Sequence, residues 1–410
     1  MLVYVLNKDG KPLMPTSRCR KVAYLLKHNL AKVVKRTPFT IKLNYDVREY
    51  TQPIALGIDA GSKVIGISAT TPKKVLFEAE VKLRTDIVEN LSTRREARSA
   101  RRFRKTRYRK SRFDNRIASK KEGWLAPSVR QKIQTHLSVI ALVHKILPII
   151  KIVVETAQFD IQKIKNPEIQ GVEYQQGEQL GFWNVREYVL ARDNHICQHC
   201  KGRNKILNVH HIESRKVGGD SPNNLITLCE DCHKKYHRGE IKLKIKRGAS
   251  FKDSTFMSIM RPFLLKELKS RYPRVQNTYG YFTKHTRILN FLPKEHYVDA
   301  RCISGNPLAQ PTLLYKLIKN RKHNRQLHKF TILKGGVRKL NQSPFEVFGF
   351  RLNDKVLYRS KVCFITGRRL RGSFALKDIE GVSVTNGVTY KKLRLLEKVN
   401  SFNMDLIKKF

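Results

Sequence analysis

Residues 54–70 read IALGIDAGSKVIGISAT, and this stretch decides the fold. Glycines and small residues lie between β-branched runs, which suits two adjacent strands joined by a tight turn. KKVLFEAEVKL (73–83) supplies the next strand. SVRQKIQTHLSVIALVHKIL (128–147) has helical spacing and is stopped by Pro148, after which IIKIVVE (149–155) reads as a short buried strand ending on Glu155. HYVDARCIS (296–304) sets Asp299 beside another apolar stretch. These blocks predict one α/β layer with material inserted between its pieces.

Asp59, Glu155 and Asp299 are each preceded by strand-like sequence. Three carboxylates delivered by different strands to one edge repel one another unless cations intervene. Two divalent metals would relieve that repulsion and clamp the attacking and leaving oxygens of a phosphodiester. Gly57, Ala60 and Gly61 leave room for a backbone and a phosphate to approach. Taken alone, IDAGS also suits the phosphate turn of a sugar-kinase-like or actin-like ATPase, but that reading leaves the charge unexplained.

The charge is extreme. Lys and Arg number 83 against 33 Asp and Glu, a formal net charge of +50 over 410 residues. With 40% hydrophobic residues the chain is too apolar for wholesale disorder, so the charge sits on folded surface and calls for a polyanion. Nucleic acid is the partner that fits; no segment reads as membrane-seeking, membrane-spanning or secretory. The expected location is a cytoplasmic, nucleoid-associated one in a prokaryote-type host. Ten arginines and two lysines fall within 94–116, opposed only by Glu96 and Asp114. A helix there is charged on every face, which suits a bridge wrapped by phosphates better than a solvated linker. Its candidate contacts are Arg94, Arg95, Arg98, Arg101, Arg102, Arg104, Lys105, Arg107, Arg109, Arg112 and Arg116, with Phe103, Tyr108 and Phe113 interleaved. Residues after 325 alternate in short basic runs and predict a β-rich module, with Arg368 and Arg369 as further nucleic-acid contacts and Phe330, Phe345 and Phe348 as core.

Seven cysteines make a poor disulfide framework, and four of them form CQHC (197–200) and CEDC (229–232), 28 residues apart. Cys197, Cys200, Cys229 and Cys232 therefore predict a closed, structural Zn2+ site. Between and after the pairs stand HHIES (210–214) and CHKKYH (232–237). His210 and His211 are strand neighbours and face opposite ways, so they cannot share one task. One is expected to meet a metal together with His233 while the other activates water; Asn224 would fix a loop or orient the base. His195 and His199 match no catalytic slot and are expected to lie on the surface or beside the knuckle.

The set HHI, GG, NNL and LCEDCH resembles the HNH nuclease motif and its ββα-metal fold. That resemblance implies His211 as general base, His210 and His233 as ligands of the catalytic divalent ion, and Asn224 as the structural asparagine; His210 stands where many members have Asp and His233 where others have Asn. Asp59, Glu155 and Asp299 resemble the three carboxylate motifs of a RuvC-like, ribonuclease-H-fold nuclease, and His296 its third-motif histidine, with Ala60 where proline is usual. The order PLMP (12–15), IDAGS, arginine stretch, VVET, HNH, HYVDA and basic β module is similar to the IscB family. The family implies an RNase H-like core split in three, an arginine-rich bridge helix, an inserted HNH domain and a C-terminal β-rich module reading a target-adjacent motif. The corresponding boundaries are 1–52, 53–90, 91–122 for the bridge, 123–160, 161–250 for HNH, 251–324 and 325–410. It further implies Mg2+ or Mn2+ at both nuclease sites and a structured guide RNA (an omega RNA) as partner. The protein would act as a monomer on double-stranded DNA, HNH cutting the guide-paired strand and the RuvC-like site the displaced one. A DNA-only homing or junction nuclease and a non-cleaving RNA-guided regulator are the alternatives.

Overall fold

The computed structural model describes residues 2–102, 122–156, 168, 170, 171, 173, 176–243, 245–248, 252–321, 343–399 and 401–410. The chain divides into two compact units: Met1–Ala157 with Met257–Phe410, and Gln158–Phe256 between them. No helix among the described residues is long and apolar enough to cross a membrane.

The first unit begins with β1 (Tyr4–Leu6), a helix Cys19–Lys27, β2 (Ala31–Lys35) and β3 (Thr40–Leu43), a three-stranded sheet ordered β1-β3-β2. The helix turns Val22 and Leu25 onto Val3 and Ile41. Then β4 (Ile54–Asp59), β5 (Val64–Thr70) and β6 (Val75–Lys82) form an antiparallel meander. Ile54, Leu56, Ile58, Ile65, Ile67, Phe77, Ala79 and Val81 in these strands are buried, as befits a sheet covered on both faces. After the helix Pro127–His144, β7 (Ile149–Glu155) lies parallel to β4.

The inner unit supplies β8 (Leu207–His211) and β9 (Leu225–Cys229), an antiparallel pair followed by the helix Glu230–His237: a ββα unit. Returning to the first unit, β10 (Val275–Thr278) adds parallel to β7, and β11 (Leu313–Lys319) parallel to β6. A separate sheet follows from β12 (Lys355–Tyr358), β13 (Lys361–Arg369), β14 (Ser373–Lys377), β15 (Ser383–Thr389) and β16 (Arg394–Glu397), ordered β15-β14-β13-β12-β16. Its core is Val356, Cys363, Ile365, Phe374, Leu376 and Val388. Finally β17 (Phe402–Lys409) pairs antiparallel with β11. The main sheet therefore runs β10-β7-β4-β5-β6-β11-β17, with the meander flanked by parallel strands. This is a RuvC-like, RNase H-type core interrupted in sequence, with an inserted ββα unit and a β-rich C-terminal sheet.

Three expectations need correction. Residues 296–303 form a helix, His296–Ile303, not a strand. The alternation HYVDAR is too short to separate the two periods, and the surroundings decide. A Cβ on Gly57 would lie 2.0 Å from the Ala300 carbonyl oxygen, and one on Gly66 would lie 1.9 Å from that of His296. The helix backbone thus rests directly on β4 and β5, filling the space that had been assigned to phosphate beside Gly57. Secondly, 325–410 is not one module, because β17 returns to the main sheet; it covers the edge that β11 would otherwise expose. Buried Lys355 ties the pieces, its Nζ donating to Thr37 Oγ1 (2.9 Å), to the Met404 carbonyl (3.0 Å) and to Asp405 Oδ1 (2.9 Å). Thirdly, Phe345 and Phe348 are exposed, and Phe348 stacks on Tyr390 at 4.2 Å instead of entering the core; Phe330 lies outside the described residues.

Candidate active sites

In the inner unit the ligating atoms of Cys197, Cys200, Cys229 and Cys232 lie within 4.8 Å of one another. The first two come from the loop after the helix Val185–Arg192, the others from the end of β9 and the helix that follows it. Cys197, Cys229 and Cys232 pack with Ile226 and Leu228, so the thiols are the centre of this small core. Four convergent thiols with no disulfide fit a tetrahedral structural Zn2+. His199 Nδ1 stands 3.5 Å from Cys232 Sγ, beside the knuckle.

His210, at the end of β8, His233 and His237 form a second convergent group, also within 4.8 Å. His237 was not singled out from sequence; its signal was the four-residue spacing from His233 inside CHKKYH, which puts both rings on one face of a helix. His210 is buried and its Nε2 has no hydrogen-bond partner among the described residues, which fits a nitrogen waiting for a cation. Burial, then the neighbouring His233 and His237, lowers its pKa to about 4, so the ring is neutral at pH 7. His233 is lowered for the same two reasons. Neutral imidazoles are the form that binds metal. His211 borders the same open cavity of about 390 Å3, which His210, Ser214, His233, Tyr236 and His237 also line. Its Nε2 is 2.9 Å from Asp220 Oδ1, and Asp220 is held in turn by Arg215 at 2.7 Å.

Asn224 is fully buried. Its Oδ1 accepts from the Glu213 N–H (2.9 Å), and its Nδ2 donates to the carbonyls of Glu213 and Gly219, both at 3.0 Å. It therefore ties off the loop between β8 and β9 and does not reach His211. A Cβ on Gly218 would fall 2.1 Å from that amide, so the loop needs glycine there.

In the first unit, β4 and β7 are parallel with Ile58 opposite Val154, which brings Asp59 and Glu155 side by side at their carboxyl ends. The helix His296–Ile303 brings Asp299 in from across the sheet. The buried fork of Arg301 onto Glu78 (3.0 and 3.1 Å) fixes that helix, with Ser68 completing the carboxylate at 3.1 Å. His296 Nδ1 lies 2.6 Å from Asp59 Oδ2, a contact that raises the histidine pKa. Thr283 Oγ1 donates to Glu155 Oε2 at 3.1 Å, and Arg287 pairs with Asp299 at 2.9 Å. Burial, then the charge of Asp59, raises the pKa of both Glu155 and Asp299. Arg261 is buried close by, with Nη2 3.5 Å from the Ala60 carbonyl. Burial leads both carboxyl pKa shifts and the neighbouring carboxylates add to them; among the described residues it is the four thiols and the three histidines, not these carboxylates, whose ligating atoms all lie within 4.8 Å of one another.

Of the basic residues, Arg94, Arg95 and Arg98 are exposed on the helix Ile87–Arg102, whose last turn includes Arg101 and Arg102. Arg104, Lys105, Arg107, Arg109, Arg112 and Arg116 lie outside the described residues. Arg368 and Arg369 are engaged within the C-terminal sheet, donating to the Pro344 carbonyl (2.6 Å) and the Asn386 carbonyl (2.7 Å).

Residues 3–177 match the family model described as RRXRR protein, and residues 197–239 match HNH endonuclease. A 64-residue stretch is 39% identical to Anaredoxin of Nostoc sp. (strain PCC 7120 / SAG 25.82 / UTEX 2576), covering 15% of this chain and 84% of that protein. Among solved structures the chain is similar to Streptococcus thermophilus Cas9 in complex with AGGA PAM, at 14% identity and a TM-score of 0.30. That match covers 44% of this chain and spans only about a quarter (26%) of the Cas9 chain. An HNH domain with its His and Cys clusters defines a metal-dependent nuclease. The chain thus joins an RRXRR segment and an HNH endonuclease segment, in that order.

Proposed function

We propose that this protein is an RNA-guided DNA endonuclease, with the HNH centre cutting the guide-paired strand and the RuvC-like centre the displaced one. The observation that carries the reading is the pairing, in one chain of net charge +50, of two unlike centres suited to phosphodiester hydrolysis: a histidine cluster beside His211, and, beside His296, Asp59 near enough to Glu155 and Asp299 to help raise the pKa of both. One enzyme needs two such centres when it must cut two strands that it holds in different environments.

At the HNH centre His211 accepts the proton of the attacking water, and Asp220 holds its ring through Nε2. His210, His233 and His237 would hold a divalent ion, Mg2+ or Mn2+, which supplies positive charge to the scissile phosphate when bound. Asn224 keeps the connecting loop in shape, and the four cysteines keep the helix of His233 against β8. At the RuvC-like centre Asp59, Glu155 and Asp299 would hold the divalent ions. There His296 keeps its Nδ1 proton on Asp59 Oδ2, and once Nε2 has released its proton to solvent that nitrogen takes a proton from the attacking water. Arg94, Arg95, Arg98 and the rest of the arginine stretch neutralise guide and heteroduplex phosphates, and the C-terminal sheet reads the target-adjacent motif.

The test is to purify the full chain, sequence any RNA bound to it, and supply a plasmid carrying the matching target with Mg2+. A linear product is expected. His211→Ala should nick only the displaced strand and Asp59→Ala only the paired strand. Bare protein cutting one fixed sequence without RNA would replace this reading by a DNA-only nuclease. An RNA-dependent complex that binds but never cuts would replace it by a regulator.

A further inference from the structure

The helix Gly280–Leu289 has two faces. One serves the three-carboxylate centre: Thr283 bonds Glu155 and Arg287 pairs with Asp299. The other is bare. Tyr279, Tyr281 and Phe282 are 47%, 63% and 51% exposed, and Phe291, just past the helix, is 97% exposed. The rings are ordered against one another. Tyr279 and Tyr281 stack at 6.2 Å with planes 10° apart, and Phe282 follows Tyr281 at 4.0 Å. Between residues 272 and 294 the chain carries Arg274, Lys284, Arg287 and Lys294 and no acidic residue.

We infer that Tyr279, Tyr281 and Phe282 form a stacking platform for unpaired bases of the DNA strand being cut at the carboxylate centre. The inference rests on reading that centre as a nuclease. Exposed aromatic faces cost free energy in water, and three adjacent ones at the rim of a phosphodiester site need a flat apolar occupant. Bases in a duplex are already stacked and cannot supply it; a single strand offers both ring faces for the aromatics and phosphates for Lys284 and Lys294. Lys284 and Lys294 beside the rings match the phosphates of such a strand and favour it over a protein partner. Thr283 and Arg287 lie within a turn of the rings, so a base held on Tyr281 would set the register of the neighbouring phosphate against Asp59, Glu155 and Asp299.

The experiment uses the full chain with its bound RNA, Mg2+ and target DNA bearing 5-iododeoxyuridine at successive positions of the strand cut at that centre. Ultraviolet cross-links should map to residues 279–282, from bases within a few nucleotides of the cut. The double variant Tyr281→Ala/Phe282→Ala should slow cutting of that strand about tenfold or more, leaving the HNH cut unchanged. The loss should be similar at low and high salt, because stacking releases no counterions. Tyr281→Phe/Phe282→Tyr should restore it, which separates ring stacking from a folding defect. Cross-links to the guide RNA instead, or a double variant that cuts as wild type while Asp59→Ala does not, would overturn the platform alone. If Asp59→Ala cuts that strand as well as wild type, the nuclease reading of the centre has failed first.

Discussion

Glu155 shows what the carboxylate centre costs the fold. Burial and the charge of Asp59 raise its pKa, so the folded, metal-free protein binds its proton more tightly than the unfolded chain does. Folding stability contributed by such a group is present at low pH and is lost as pH rises from the ordinary carboxylate range through the raised value. Glu155→Gln removes that charge while an amide oxygen can still accept from Thr283. At neutral pH and without metal the variant should be more stable by about 1 kcal/mol, read as a rise of a few degrees in Tm, with cutting of the displaced strand abolished. His296 gives the opposite handle. Its pKa is raised, chiefly by the hydrogen bond to Asp59, so the proton it must shed leaves only above the usual histidine range. In a His211→Ala background, the displaced-strand rate should climb as pH rises through that raised value, and His296→Gln should flatten the climb as well as lowering the rate.

At the scale of elements, the helix His296–Ile303 is held by contact of backbone on glycine and by one buried ion pair. Gly66→Ala puts a methyl carbon where the His296 carbonyl oxygen already is, and neither partner is a flexible side chain. The helix must lift, with an expected loss of roughly 1–3 kcal/mol in denaturant melts and loss of displaced-strand cutting, while the HNH cut persists. This docking also marks the limit of what the sequence made legible. The CxxC pairs were readable because four thiolates at that spacing have few other uses, and the strands of Asp59 and Glu155 because β-branched runs repeat there. Asp299 was readable as a site residue but not as a helical one, since a run of eight residues fits both periods and only the glycines across the sheet settle it. Asp220 and Arg287 escaped because each acquires meaning from a loop shape or from a neighbour on another element, whereas His237 carried a local signal in its four-residue spacing from His233. The return of residues 402–409 to the main sheet escaped for the same reason: nothing local distinguishes that strand from those of the preceding β module.

For the whole molecule, charge dominates. If the surface binds RNA through on the order of ten phosphates, the apparent affinity should fall about a thousandfold or more between roughly 50 and 200 mM salt, measured by filter binding or fluorescence. A shallow slope would mean that most of the excess lysine and arginine faces solvent. The nesting of one compact unit inside the other has a consequence for how the protein is made. On the ribosome, residues 158–256 emerge together and can close around their thiols while the surrounding sheet still lacks β10, β11 and β17. Asp59 and Glu155 are synthesised early but wait for Asp299, and the helix bearing it comes after the inner unit is complete. Closure of the thiol cluster can thereby precede assembly of the carboxylate centre, which a nascent chain ending before Asp299 cannot complete.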